Sequence, residues 1–302
     1  GQGVSEFKIG DRVACAGAQC AFHAEILSVP KNLVVTVPDS LDFSEASTVT
    51  LGAIALQGVR RLSPTMGECF VVVGLGILGQ LTVQLLKAHG ARVIGIDPQT
   101  DRIAKALQLG MDLSIEADCS SPPEQVIRLT GGLGADGVII TAAAQTDEIL
   151  SAAFKMCRKK GRVVLVGDVG LNINRADIYE KELDFFVSTS YGPGRYDATY
   201  EEHGLDYPVG YVRWTENRNM SEYVRLLAEK RLNISSLIGA VYSIDQAPVA
   251  YEKLEGADRP LMVLLRYPRE YKTIQNSTVG NFAAPKSGEK VNVALIGAGS
   301  FA

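Results

Sequence analysis

The segment from Cys69 to Asp97, CFVVVGLGILGQLTVQLLKAHGARVIGID, constrains the fold of this chain more than any other. An apolar run, Phe70 to Val73, leads into a glycine-rich stretch, an apolar stretch of helical length and a second apolar run. Uninterrupted runs of β-branched residues are typical of parallel strands that are buried on both faces. The segment therefore predicts a strand, a turn, a helix over about 78–89 and a second strand over 92–96.

The glycines of this turn follow the spacing G-x-G-x-x-G at Gly74, Gly76 and Gly79. In a dinucleotide-binding turn, the first glycine permits the tight bend, the second lets a pyrophosphate approach the backbone, and the third lets the helix pack closely. The first turn of the helix presents free N–H groups to that phosphate. Asp97 follows about 20 residues later, where a carboxylate can bind the ribose hydroxyls of an adenosine. The pattern predicts a dinucleotide site; the alternative is a glycine-rich turn that binds no ligand.

Asp97 also bears on the choice of cofactor. A carboxylate at this position repels a 2′-phosphate, which favours NAD(H) over NADP(H). Arg102 lies five residues further on and could accept a phosphate, so NADP(H) stays open. Arg102 could equally lie along the ribose or be solvated on the next helix.

Composition and charge restrict the partners. The formal charge is −4 over 302 residues, without a basic block, so nucleic acid and anionic membranes are not expected partners. No apolar run has the length of a membrane span, and the first residues do not read as a signal peptide. The five cysteines are scattered, and Cys69 and Cys157 fall in segments predicted to be buried. Reduced thiols of this kind suggest a cytoplasmic protein.

The pattern divides the chain into several regions. Residues 1–45 predict short strands, after the Lys8–Val13 turn and at 24–29 and 33–37, and a helix follows over 44–62. Beyond the first unit, strands are predicted at 137–141, 162–166 and 185–188, and helices at 102–109, with Asp101 as N-cap, at 124–129 and at 148–157. This alternation predicts an α/β fold, a doubly wound parallel sheet.

The remaining segments are less regular. Residues 192–215 are dense in Gly, Pro, Tyr and charge, as is typical of a long functional loop. Thr215 predicts the N-cap of a helix over 216–230. A helix at 245–254 and a strand at 260–267 follow, and 268–290 reads as a linker. Residues 291–302, VNVALIGAGSFA, predict a second strand and glycine turn, Gly297-x-Gly299, so the chain is expected to be a fragment of a longer two-module protein.

Several motifs together resemble one known family. KIGDRV, VVVGLGILGQLTVQLLKAHGARVIGID, GRVVLVG and DRPLMVLLRY are similar to the medium-chain alcohol dehydrogenase/quinone reductase superfamily, over about residues 1–267. The resemblance implies a Rossmann domain at 46–191, a partial GroES-like β domain at 1–45, and a return segment to it at 192–267. VNVALIGAGSFA resembles the start of the glucose–fructose oxidoreductase/inositol dehydrogenase family. The combination resembles bacterial bidomain oxidoreductases.

The resemblance also implies a set of cofactor-binding residues. It places Gly74, Gly76, Ile77, Leu78 and Gly79 at the pyrophosphate, and Asp97 and Arg102 at the adenosine ribose. Two strand ends face the rest of the cofactor: Thr141 and Ala142 end one strand, and Val166, Gly167 and Asp168 end the next, beside the nicotinamide amide. Arg259 is placed on the pyrophosphate. For Arg259, a solvated corner between a helix and a strand is an equal alternative.

Zinc is the main question that this resemblance raises. A catalytic zinc needs three protein ligands, usually Cys, His and a further Cys, Asp or Glu. The stretch where the third ligand would fall, Thr48 to Leu51, contains none of these. Cys15 and Cys20 have the wrong spacing for a zinc knuckle and are interpreted as free thiols. The prediction is a zinc-independent protein with no metal site.

No catalytic residue is assigned from the sequence. Candidates for the proton donor are His23, His89 and Thr50, but each has a structural explanation. His203 is expected to be exposed. Arg213, Glu216 and Arg218 could bind an anionic substrate; a solvated helix start with charge pairing is the alternative.

These observations support two hypotheses. The first is an NAD(P)-dependent oxidoreductase that transfers a hydride to or from an alcohol or ketone, with a sugar derivative as one candidate substrate. Under this hypothesis, inactivity of the incomplete fragment itself stays an alternative. The second is a non-catalytic nucleotide-binding scaffold for the C-terminal module. The expected partner is a small molecule, and a homo-oligomer stays open. Substrate, direction and stereochemistry are not predicted.

Overall fold

The computed structural model describes residues 4–116, 121–256 and 259–268. Its strands are β1 Val13–Cys15, β2 Val34–Thr36, β3 Cys69–Val73, β4 Arg92–Asp97, β5 Leu113–Glu116, β6 Ala135–Ile140, β7 Ala143–Ala144, β8 Cys157–Leu165, β9 Asp168–Val169, β10 Asp184–Val187, β11 Ala240–Ser243 and β12 Val263–Arg266. Its α-helices are α1 Phe43–Ala46, α2 Val49–Leu62, α3 Ile77–Ala88, α4 Thr100–Gln108, α5 Pro122–Leu129, α6 Glu148–Met156, α7 Arg175–Tyr179, α8 Ala198–Glu201, α9 Glu216–Ala228 and α10 Ala247–Glu255. Short 3₁₀ helices lie at Lys31–Leu33, Ser235–Leu237 and Ile244–Gln246.

Six parallel strands form the central sheet. Their order is β10-β8-β6-β3-β4-β5, and every neighbouring pair is parallel. The chain builds outward from β3 to β5, then returns to the other side of β3 and builds outward again to β10. The order therefore reverses between β3 and β6. In sheets of this kind, ligands bind outside the carboxyl ends of the strands at that switch point.

Both faces of the sheet are covered by helices. In the central strand β3, Phe70 and Val72 pack in one apolar cluster, which contains residues of α2, α3 and α9. Val71, between them, faces the opposite cluster, which contains residues of α5 and α6. Successive side chains of a strand point to opposite faces, so an all-apolar strand needs cover on both sides. The doubly wound α/β prediction is confirmed.

Three two-stranded sheets flank this core. β1 pairs antiparallel with β2, while β11 pairs parallel with β12 and β7 with β9. The predicted strands within 1–45 are confirmed at β1 and β2. The predicted linker, apart from Pro268, and the predicted second strand–turn unit at 291–302 lie outside the described residues.

Some predicted elements are wrong. Residues 24–29 form bends without a strand, and Ile26 is exposed rather than packed. The helix predicted over 44–62 is two helices, because the Thr48 hydroxyl donates to the Glu45 carbonyl (2.6 Å) where α1 ends. Cys157 begins β8 instead of ending α6. The helix predicted at 245–254, by contrast, is confirmed: a 3₁₀ turn at Ile244–Gln246 leads into α10.

Asp101 is not the N-cap of α4. The cap position is Gln99, and Asp101 lies in the first turn, where its negative charge favours the helix dipole. The cause lies upstream: Asp97 Oδ1 accepts from the Gln99 N–H (2.9 Å), which fixes the bend after β4 and starts the helix earlier. Thr215 does cap α9, as predicted, since its hydroxyl accepts from the Arg218 N–H. Within the part of the chain that the structure describes, no helix is both long and apolar enough to cross a membrane.

Candidate functional site

The chain bends sharply where β3 ends. Gly74 has a φ of +91°, in the left-handed region that other residues rarely adopt. A Cβ on Gly74 would lie 2.7 Å from the backbone nitrogen of Ala142. Both the backbone conformation and the neighbouring strand end therefore require glycine here.

Gly79 and Gly76 are glycine for different reasons. A Cβ on Gly79 would lie closer than 3.0 Å to the carbonyl oxygen of Gly74, so helix α3 could not pack against the turn. Gly76 has an ordinary φ of −64°, and a Cβ there would meet nothing within 4 Å. Neither conformation nor packing within the described residues requires glycine at 76; its backbone faces open space.

Helix α3 begins at Ile77, directly after this open position. Gly76 is its N-cap and has no side chain to cap the helix. The N–H groups of the first turn, including those of Ile77, Leu78 and Gly79, have no intrahelical acceptor. These donors and the positive end of the helix dipole make this a place where an anion binds favourably.

Asp97 lies beside the same turn, at the end of β4. Its side chain is 3% exposed. Its Oδ2 accepts from the Leu75 N–H (2.7 Å), and Oδ1 accepts from the Gln99 N–H. Arg102 Nη1 lies 3.8 Å from Asp97 Oδ2. The two residues predicted for the adenosine ribose are therefore adjacent, with the carboxylate held by turn amides.

The ends of β6 and β8 join the turn through backbone contacts. The Thr141 hydroxyl donates to the Gly74 carbonyl (2.6 Å), and the Ala142 N–H donates to Val73 (3.0 Å). Asp168 N–H donates to the Ala142 carbonyl (3.1 Å), which a Cβ on Gly167 would obstruct. Val166 lies one residue before Gly167 and would contact any side chain added at Gly58 of α2. All predicted cofactor residues except Arg259 therefore lie at the carboxyl ends of the central strands or directly after them.

Arg259 has no hydrogen bond or ion pair among the described residues, and its side chain is exposed. It precedes β12. Its predicted contact with a pyrophosphate stays a prediction.

The predicted cluster of Arg213, Glu216 and Arg218 is divided in the structure. Arg218 pairs with Asp206 and donates to the Val212 carbonyl (2.8 Å). Arg213 lies over the Trp214 ring, 3.9 Å from its centroid. The three side chains therefore do not form one anion-binding group.

The burial of Glu216 was not predicted from the sequence. It is fully buried, and both carboxylate oxygens lack a hydrogen-bond partner. Burial, together with the negative charge of Glu201, raises the pKa of Glu216 to about 8. Glu201 itself is paired with Arg195 (2.8 Å). Neither the anion-binding nor the solvated interpretation of Glu216 is correct. Its sequence position, the first residue after an N-cap, is usually exposed and gave no signal of burial.

The candidate proton donors occupy structural or exposed positions. His89 caps the C-terminus of α3, with Nδ1 2.9 Å from the Leu85 carbonyl oxygen. His23 is exposed with its ring edge-on to Tyr251, and His203 is exposed as predicted. Thr50 is half-buried on α2. No catalytic residue is assigned.

The described residues do not fit a zinc site. None of them form a group of three or more His, Cys, Asp or Glu side chains placed to hold a metal ion. Cys15 and Cys20 are free thiols, and burial raises the pKa of each. Their interpretation as free thiols is confirmed, while zinc independence stays a prediction.

The sheet order defines a doubly wound α/β protein, and the glycine turn lies at the switch point of its sheet. Residues 78–203 match the family model described as zinc-binding dehydrogenase. The chain is 34% identical over 137 residues to an alcohol dehydrogenase of Rhizobium meliloti, covering 45% of this chain and 39% of that protein. It is 28% identical over 257 residues to D-guloside 3-dehydrogenase of Shigella flexneri, covering 83% and 69%. This chain is therefore similar to zinc-binding dehydrogenases and to alcohol and sugar dehydrogenases over the residues that match.

A solved structure supports the fold. A protein described as a short chain alcohol dehydrogenase (rspB), from Escherichia coli CFT073 and complexed with the cofactor NADH, superimposes with a TM-score of 0.64 at 21% identity, over 78% of this chain and 63% of that one. The chain spans 39% to 69% of the length of the curated relatives it matches. The family description points toward zinc, whereas the residues described here supply no ligand set.

Proposed function

We propose that this chain is the nucleotide-binding part of an NAD(P)-dependent oxidoreductase that transfers a hydride to or from an alcohol or ketone carbon. The observation that carries the proposal is Gly76: it is glycine without a structural need, at an open helix start beside Asp97. The kinship with alcohol and sugar dehydrogenases supports the same chemistry, and a sugar derivative is the favoured substrate.

The residues at the glycine turn and at the neighbouring strand ends have distinct roles in this proposal. The amides of Ile77, Leu78 and Gly79 bind the pyrophosphate, while Asp97 binds the ribose hydroxyls and favours NAD(H). When bound, the nicotinamide supplies or accepts the hydride. The backbone of Ala142 and Gly167, at the ends of neighbouring strands, orients its ring.

The domain boundaries belong to the same proposal. Residues 46–191 form the Rossmann domain, and 1–45 with 192–267 belong to a partial GroES-like domain. Zinc independence predicts that dialysis against a chelator leaves NADH affinity and turnover unchanged; loss of turnover, restored by zinc alone, would overturn it.

Isothermal titration of the whole chain with NADH and NADPH tests the proposed binding at the glycine turn. Wild type is expected to bind NADH more tightly than NADPH. Gly76→Ala is expected to weaken NADH binding strongly, because a methyl group would occupy the space of the pyrophosphate. Gly210→Ala is the matched control, since a Cβ there also meets nothing within 4 Å. Equal NADH affinity in both variants would contradict the proposed site.

Turnover separates the enzyme from the scaffold alternative. NADH formation from NAD⁺ is followed with a panel of sugar alcohols and secondary alcohols, in wild type and in Asp97→Ala. An enzyme loses turnover together with binding. Binding without turnover on any substrate, in the full-length protein as well, would favour the scaffold.

A further inference from the structure

A second pocket lies away from the glycine turn, between α2, α3 and α9. It has a volume of about 210 Å³, and its wall includes Arg60, Arg225, Arg231 and the ring of Trp214. His89, at the far end of α3 from Gly76, also lines it, so the pocket and the glycine turn lie at opposite ends of one helix.

The charges of this pocket are unequal. The one carboxylate in its wall, Glu222, is held by both nitrogens of the Arg225 fork (2.9 and 2.7 Å). Arg60 and Arg231 have no carboxylate within 4.0 Å among the residues that the structure places. Arg225 also pairs with Glu229 (2.6 Å), so its charge is balanced, whereas Arg60 and Arg231 leave the pocket with two cations that no carboxylate of the described residues contacts.

Arg60 is the most constrained of these cations. Its Nε donates to Asn219 Oδ1 (2.7 Å), and its guanidinium lies 3.3 Å from the Trp214 ring centroid. Arg213 lies on the same ring, 3.9 Å from the centroid. Burial lowers the pKa of Arg60 to about 10; the negative charge of Glu222 partly opposes this shift, and the like charge of Arg213 adds to it. A partly buried cation beside another cation is stabilised by an anion.

The geometry points to an anion site for a phosphate group, free or as a phosphate monoester. The planar fork of arginine matches phosphate oxygens in a bidentate way. The volume of about 210 Å³ suits a phosphate with a small organic part rather than a dinucleotide. This site is independent of the proposed function, because it shares no residue with the glycine turn.

Trp214 is the only tryptophan of the chain, so its fluorescence reports on this pocket alone. The whole protein is titrated with inorganic phosphate and, separately, with glycerol 3-phosphate, at constant ionic strength kept with chloride. A saturable change is expected with either. The tighter of the two ligands shows whether the pocket also recognises an organic part.

Variants make the test decisive. Arg231 is exposed, so Arg231→Gln is expected to leave the fold intact. The loss of one charge-assisted hydrogen bond is expected to weaken phosphate binding about tenfold or more. Arg60→Lys is expected to weaken it while keeping the charge. Arg128→Gln, an exposed arginine on α5, is the matched control. Gly76→Ala is expected to retain the phosphate response although it loses NADH, which separates the two sites.

One result would overturn the anion site. The backbone carbonyls at the C-terminal ends of α2, α3 and α9 carry partial negative charge, which arginines also neutralise. If phosphate gave only a linear change in Trp214 fluorescence, equal in wild type and in Arg231→Gln, the arginines would only neutralise the partial charges of the helix ends.

Discussion

Three glycines of one turn illustrate how a single residue type can meet separate physical demands. Gly74 is required by a positive φ, and Gly79 by the approach of a helix to a backbone carbonyl. Gly76 has neither demand within the described residues. Substitutions at Gly74 and Gly79 are therefore expected to affect folding, whereas a substitution at Gly76 is expected to affect the proposed cofactor binding.

The clearest contrast is expected between Gly79→Ala and Gly76→Ala. Alanine favours a helix interior over glycine by roughly 1 kcal/mol. At 79 the added methyl group meets the backbone of Gly74, which cannot move without shifting the turn, so a net loss of about 1–3 kcal/mol is expected. At 76 the change in the free energy of unfolding stays within about 1 kcal/mol. Urea unfolding of both variants measures this; equal losses would show that the turn is not packed as described.

Glu216 predicts an unusual pH dependence. Its folded pKa, about 8, lies above its ordinary value of 4.5, so the folded protein holds a proton that the unfolded chain releases between these values. The free energy of unfolding therefore falls as pH rises from 5 to 8, by up to about 1.4 kcal/mol per pH unit. Stability from this group is fully present below pH 4.5 and lost through pH 8.

Urea unfolding at pH 5, 6, 7 and 8 tests this prediction. Glu216→Gln cannot ionise and is expected to flatten the profile. Glu202 follows Glu201 in the sequence and is exposed. Glu202→Gln is therefore the matched control and should leave the slope unchanged. A slope that survives in Glu216→Gln would assign the pH dependence to another group.

At the scale of elements, the contact between α2 and α9 holds the segment after the main sheet onto the core. Gly52 of α2 lies against the ring of Tyr223 of α9, whose hydroxyl hydrogen-bonds Thr48 (2.9 Å). Asn219 adds a second connection, since its amide donates to Gln57 Oε1 (3.1 Å) and to the Tyr191 carbonyl (2.9 Å). Close helix approach through a glycine leaves little tolerance for added volume.

A double-mutant cycle isolates this contact. Gly52→Ala alone is expected to destabilise by about 1–3 kcal/mol, because the methyl group would overlap the Tyr223 ring. In the Tyr223→Ala background the ring is gone, so Gly52→Ala should become neutral or stabilise by up to about 1 kcal/mol through helix propensity. Chemical denaturation of the four proteins gives the coupling energy. A coupling near zero would mean that the helices are not in contact at Gly52.

Elements were predictable where the signal was local. The glycine turn, the apolar strands β3, β4 and β6, and the Thr215 cap follow from patterns a few residues long. β5 and β11 were missed because their sequences, LSIE and AVYS, are short and gain their pairing from distant strands. The burial of Glu216 depends on packing across the chain, which periodicity does not encode.

For the whole molecule, the two halves of the sheet meet where the chain reverses between β3 and β6, and all but one of the predicted cofactor residues lie on that edge. A ligand that spans β4, β3 and β6 joins elements far apart in sequence, so its binding must stabilise the protein as a unit. A ligand that binds only the folded state, present at 100 times its Kd, adds about 2.7 kcal/mol to the free energy of unfolding.

NADH is therefore expected to raise the urea midpoint of the whole chain, and NADPH at the same concentration to raise it less. The carboxylate of Asp97 would repel the 2′-phosphate of NADPH, whereas Arg102, 3.8 Å away, can only partly offset this. Asp97→Asn removes the charge with little change in shape and should narrow the gap between the two cofactors. Unfolding curves with each cofactor measure both effects. An equal gap in wild type and Asp97→Asn would show that Asp97 does not select the cofactor.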